Sequence, residues 1–145
     1  HCGGILADAN APSQDSLQRY GMHLGMAFQL IDDALDYDGD SDAMGKNIGD
    51  DLTEGKPTLP LIYAMAHGSS EQASLIEQCL NTEKLPDNSL QQVLEIVRQT
   101  GALDYTRQIA ESESAKALDC LEQLPASEYR DALAALARFA VNRRN

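Results

Sequence analysis

The sequence predicts an all-α protein, a helical bundle with short connections. Three observations carry this expectation. The chain is 43% hydrophobic yet only 5% aromatic, with no tryptophan, a balance that suits helices packed through alanine and leucine better than stacked sheets. Apolar residues recur at helical spacing, and no window shows the period-two alternation of a strand. Capping residues, glycines and prolines punctuate the periodic windows at helix-like intervals.

The elements follow in order. Residues 1–9 (HCGGILADA) read as a short apolar helical stretch, broken by Asn10, Pro12 and Ser13. Ser13 or Asp15 is placed to cap the next helix, which should run to about Tyr37. Residues 38–45 (DGDSDAMG) form a flexible acidic loop that lacks the spacing and closing glutamate of a calcium hand. Pro57 and Pro60 open a helix through Ala66, with Leu59, Ile62, Tyr63 and Ala66 as its core stripe. Ser69 and Gln72 make a capping box for the helix SSEQASLIEQCL. A polar linker, NTEKLPDNS, leads to a helix with Leu90, Val93, Leu94 and Val97 turned inward and Gly101 as its stop. A long helix ended by Pro125 carries alternating charges on a solvated face. The last helix places Tyr129, Leu133, Leu136 and Ala140 on one face. His1, His23 and His67 stand isolated, without a ligand or catalytic role.

Composition bounds the function. At 145 residues the chain is long enough for one domain with a real core. A net charge of −12 argues against nucleic acid and anionic membrane surfaces as partners, and is compatible with attracting a divalent cation. Cys2, Cys79 and Cys120 are odd in number and lack metal spacing, which suggests a reduced, cytoplasmic setting. No apolar run approaches the roughly 20 residues of a membrane-spanning helix.

Residues 21–58 are the stretch around which the rest is organised. At about 100° per residue, Leu17, Leu24, Phe28, Ile31 and Leu35 form one apolar stripe. Gly21, Gly25, Gln29, Asp32 and Asp36 form a second stripe, with Asp33 just outside it. The first stripe suits a core and the second a cavity. Asp32 and Asp36 lie one turn apart, so their oxygens can reach a common point. A DDxxD pattern also fits a solvated helix face. The segment that follows supplies Lys46 and Lys56 among Gly45, Gly49 and Gly55. Oxygen ligands suit Mg²⁺, which keeps several waters and often bridges to phosphates, and lysines in glycine-rich backbone beside it suggest a diphosphate pocket.

The run FQLIDDALDY followed by GKNIGDDLTEGKPTLPL resembles the second aspartate-rich region of the trans-polyprenyl diphosphate synthases, of the long-chain bacterial type. Ala34 departs from the leucine usual there, without consequence for metal ligation. The resemblance implies an isoprenoid synthase fold, with two Asp-rich helices facing a central cavity. This chain would hold one of them, as the C-terminal part of a single all-α prenyltransferase domain whose N-terminal part is absent. It implies Mg²⁺ held by Asp32, Asp33 and Asp36 and an allylic diphosphate met by Lys46. Asp51 and Lys56 would shape the same pocket, and Phe28 and Gln29 would contact substrate. Isopentenyl diphosphate is the implied second substrate, and a homodimer the implied full-length assembly. The product would be a long-chain all-trans polyprenyl diphosphate for quinone side chains, and this chain alone is expected to be inactive. A terpene cyclase of the same fold and a non-catalytic helical subunit of a prenyl synthase are the alternatives.

Overall fold

The computed structural model describes residues 2–38, 48–82 and 84–143. These residues form eight α-helices and no strand: α1 (Cys2–Leu6), α2 (Ala11–Asp38), α3 (Asp50–Thr53), α4 (Leu59–His67), α5 (Ser70–Leu80), α6 (Ser89–Gln99), α7 (Ala102–Leu121) and α8 (Glu128–Val141). The expected all-α class holds. The acidic loop at 38–45 lies almost wholly outside the described residues.

Helix α2 starts earlier than expected. Asn10 does not break the chain but caps it: its side-chain oxygen accepts from the Ser13 amide at 2.9 Å. Pro12 then falls in the first turn, where a missing N–H costs nothing. The capping box at Ser69 is present in full, with Ser69 Oγ accepting from Gln72 N at 3.3 Å and Gln72 Oε1 accepting from Ser69 N at 2.8 Å. Ser127 caps α8 in the same way, accepting from Arg130 N at 3.2 Å.

The chain divides into two units, His1–Ile31 with Gln108–Arg144, and Asp32–Arg107; helices α2 and α7 contribute to both. In the first unit Tyr20, Ala117, Cys120, Leu121 and Ala137 form the core, with Leu24, Leu118, Leu124, Leu133 and Ala134 packed against it. Polar groups buried there find partners. Tyr20 donates its hydroxyl to the Leu133 carbonyl at 2.8 Å, and Ser114 donates to the Ala137 carbonyl at 2.8 Å.

The core face of α2 in this unit is Ser16, Tyr20, Ala27, Leu30 and Ile31, roughly a quarter turn from the stripe expected from the sequence. Of that stripe Ile31 alone is fully buried; Leu17 and Leu24 are half-buried and Phe28 is exposed. The reason is packing distance. Small residues such as Ala27, Ala117 and Ala137 let helices approach closely, and Tyr20, Leu30 and Ile31 fill the space beside them. Helix α8 shows the same effect. Leu133 is half-buried and Ala137 and Ala140 are buried, whereas Tyr129 and Leu136, expected on the same face as Leu133 and Ala140, are exposed. His23 is not isolated either: its Nδ1 lies 2.7 Å from Glu113 Oε2, and Lys116 Nζ holds the other oxygen at 2.6 Å.

The second unit is built around Tyr37, Leu52, Leu61, Ala64, Ile76, Cys79, Val93, Leu94, Ile96, Val97, Ala102 and Leu103. Helix α6 presents the expected inward face, to which Ile96 is added. Helix α4 does not. Its buried residues are Pro60, Leu61 and Ala64, while Ile62 is exposed, because the side of α4 that meets α5 and α6 is fixed by those neighbours and not by its own stripe. His67 stacks on Tyr63 at 3.9 Å between ring centroids, and Tyr63 on Tyr105 at 4.3 Å.

Candidate functional site

The site grows from the C-terminal turns of α2 and residues 48–58, all in the second unit. A helix leaves its last carbonyls without intrahelical partners. Here Gly49 returns the chain so that its N–H donates to the Asp36 carbonyl at 2.9 Å. That turn needs φ of +77° at Gly49, and a Cβ there would stand 2.5 Å from Leu90 Cδ1. The short helix α3 follows at once, and the Asp51 amide donates to Asp36 Oδ2 at 3.1 Å. Asp36 is therefore held through both its backbone and its side chain.

The chain then turns at Gly55, with φ of +69° and room for no Cβ, which would meet the Leu80 carbonyl oxygen at 2.9 Å. The Lys56 amide donates back to the Asp51 carbonyl at 2.8 Å. Lys56 Nζ lies 2.5 Å from Glu54 Oε2 and 3.6 Å from Asp51 Oδ1. The neighbouring carboxylates, Glu54 foremost, push the exposed Lys56 ammonium's pKa above its ordinary value. At the other end of the turn, Arg107 pairs with Asp38.

Burial raises the Asp36 pKa. The charges of Asp51 and Asp50 add to the rise, and the amides of the same two residues oppose it. Tyr37 is fully buried. Its phenol is shifted far upward by burial, with the Thr58 hydroxyl opposing and the charges of Asp36, Asp51 and Asp33 adding. Negative charge is thus concentrated beside a cation on a rigid turn.

The structure brings Asp36, Asp51 and Lys56 together. Asp33 is buried and Asp32 half-buried on the same helical turns. Phe28 and Gln29 belong to the first unit. Phe28 is 44% exposed, with the Arg143 guanidinium 4.3 Å from its ring centroid; Gln29 is exposed. Lys46 lies outside the described residues. Among the described residues no three side chains of His, Cys, Asp or Glu are arranged to hold a metal ion. The donor chemistry of α2 and α3 nevertheless suits Mg²⁺. It is oxygen only, and like charges close enough to Asp36 to add to the rise in its pKa are relieved by a divalent cation. Sequence reasoning missed Tyr37 and the double hold on Asp36. Tyr37 carried one signal, its place directly after the DDxxD pattern.

The profile of the family described as Polyprenyl synthetase matches residues 1–97. Octaprenyl diphosphate synthase of Escherichia coli (strain K12) is 49% identical over 142 residues, covering 98% of this chain and 44% of that protein. The chain therefore spans less than half the length of this relative. A crystal structure of polyprenyl synthase from Caulobacter crescentus CB15, complexed with calcium and isoprenyl diphosphate, superposes with a TM-score of 0.87 at 40% identity, covering 99% of this chain and 44% of that one. Geranylgeranyl pyrophosphate synthase from Corynebacterium glutamicum, complexed with isoprenyl diphosphate and magnesium, gives a TM-score of 0.84 at 32% identity, covering 98% of this chain and 41% of that one.

Proposed function

Because this chain belongs to the polyprenyl synthetase family, we propose that it carries one carboxylate wall of a chain-elongating prenyltransferase site. The substrates are an allylic diphosphate and isopentenyl diphosphate, and the product is a long-chain all-trans polyprenyl diphosphate for quinone side chains, made in the cytoplasm by a full-length homodimer. The observation that carries this reading is the hold on Asp36 by Gly49 and Asp51, with Lys56 on the same turn. It fixes anions and a cation on one rigid frame, as charge stabilisation of a leaving diphosphate requires.

In this reading Asp32, Asp33 and Asp36 hold Mg²⁺. The metal, when bound, acts as a Lewis acid on the departing diphosphate and as a template for it. The protein's own groups do the rest. Lys46 contacts the allylic diphosphate and takes up charge as the C–O bond breaks. Lys56 and Asp51 keep the pocket in shape. Phe28 and Gln29 line the path of the reacting carbons. Half-exposed apolar helix faces accept the growing chain, each buried CH₂ contributing about 0.8 kcal/mol.

The test is incorporation of radiolabelled isopentenyl diphosphate with farnesyl diphosphate as primer. The 145-residue chain alone should show none, since it spans 44% of its relative's length. Adding the remaining N-terminal part of the Escherichia coli octaprenyl synthase should yield Mg²⁺-dependent incorporation. No incorporation with the halves demonstrably bound to each other would overturn the reading, as would robust incorporation that survives removal of every divalent cation.

A further inference from the structure

Two buried hydroxyls in the second unit have no hydrogen-bond partner among the described residues: Tyr37 Oη and Thr58 Oγ1. The two are neighbours, since the Thr58 hydroxyl is close enough to act on the Tyr37 phenol. Thr58 occupies the N-cap position of α4, with φ −76° and ψ 164°, yet its hydroxyl makes no capping bond. Ser69 and Ser127, at the same position of α5 and α8, both accept from the amide three residues on. The Thr58 side chain is thus released from the role its place would give it.

We propose that Tyr37 and Thr58 form a hydroxyl clasp, closed directly or through one water, that makes both of them positioning residues for the Lys56 turn; its link to a diphosphate pocket rests on the function proposed above. A hydroxyl both donates and accepts, so one pairing satisfies both groups and removes the penalty of leaving each unpaired in the interior. The place of the two residues gives the pairing its effect. Tyr37 follows Asp36, and the Thr58 amide donates to the Lys56 carbonyl at 3.0 Å. Asp36 is bonded to Gly49 and Asp51, and Asp51 to Lys56. The clasp closes that circuit, tying the segment that carries Lys56 back to the helix that carries Asp36. Nothing in the carboxylate arrangement itself supplies this second tie.

Amide hydrogen exchange on the 145-residue chain tests the clasp without any ligand. Tyr37→Phe keeps the ring and removes one hydroxyl; Thr58→Val keeps the shape and removes the other. Each should speed exchange at the Asp51 and Lys56 amides by roughly fivefold or more, as expected for loss of one hydrogen bond. Amides within α6 should exchange at their original rates. Thr58→Ser should restore the slow rates, and the double variant should be no faster than either single one, because both remove the same pair. A parallel ³¹P titration with Mg²⁺ and inorganic pyrophosphate should show weaker binding for Tyr37→Phe and Thr58→Val and recovery for Thr58→Ser. Unchanged exchange in both single variants, or fully additive effects in the double variant, would overturn the clasp. If the unsubstituted chain binds no pyrophosphate while the exchange pattern holds, the clasp stands and the diphosphate reading falls.

Discussion

The backbone amide of Asp51 donates to the carboxylate of Asp36 at 3.1 Å, which gives Asp36 a structural duty separate from any metal. The two duties can be parted by substitution. Asp36→Ala leaves the Asp51 amide without its acceptor and should lower stability by about 1–3 kcal/mol. Asp36→Asn keeps an oxygen there and relieves repulsion from Asp50 and Asp51, so its stability should match the unsubstituted chain. Both should lose any Mg²⁺-induced rise in melting temperature. Urea unfolding for the stabilities and thermal unfolding with and without Mg²⁺ for the shift measure these effects, and equal stability for Asp36→Ala would remove the structural duty.

The two left-handed glycines differ in what surrounds them. At Gly49 an added Cβ meets the end of the Leu90 side chain, which can move; at Gly55 it meets the Leu80 backbone carbonyl, which cannot easily do so. Both alanine variants carry the cost of φ > 0, about 1 kcal/mol or more. Gly55→Ala should therefore destabilise more than Gly49→Ala, and Leu90→Ala should relieve only the clash in the Gly49→Ala background. Ranking the denaturation midpoints checks this.

In the first unit, the hydrogen bond from Lys116 and then that to His23 hold the Glu113 pKa below its ordinary value of 4.5. A carboxyl lowered on folding adds stability that is fully present above its unfolded pKa and is lost as pH falls through its folded one. Glu113→Gln should thus be less stable than the unsubstituted chain at pH 7, with the gap closing as the medium is acidified well below pH 4.5. Denaturant titrations at several pH values give the gap directly. A difference that stays constant down the acid limb would show that the loss is one of packing.

Under the proposed function, Asp32→Asn in a protein completed to the length of its relatives should cut turnover by roughly two orders of magnitude or more and weaken its Mg²⁺ dependence. Lys46→Ala should raise the allylic KM and lower kcat together, because the ammonium meets charge that grows as the bond breaks. Lys46→Arg should recover part of the loss only, since the guanidinium fork is bulkier than a compact ammonium. Steady-state kinetics with both substrates varied reads these effects. Unaltered constants for Lys46→Ala would place the diphosphate elsewhere.

By itself the sequence determined the helical class, most helix limits, the capping box of Ser69 and Gln72, the inward face of α6, and the order of motifs from FQ to GKPT. These are local properties. Caps act over three residues, and α6 has one apolar face and a polar remainder, so a single helix already states which side is buried. Tertiary structure alone decided which side of α2, α4 and α8 faces inward. Each of these helices is apolar on more than one side, and the choice was made by the neighbours it packs against, with Ala27, Ala64 and Ala137 at buried positions. It also decided the pairing of His23 with Glu113, residues 90 positions apart, and the return of Gly49 and Asp51 onto Asp36. Spacing along the chain shows which groups are available; the distances at which donors meet acceptors exist only once the segments between them have been packed.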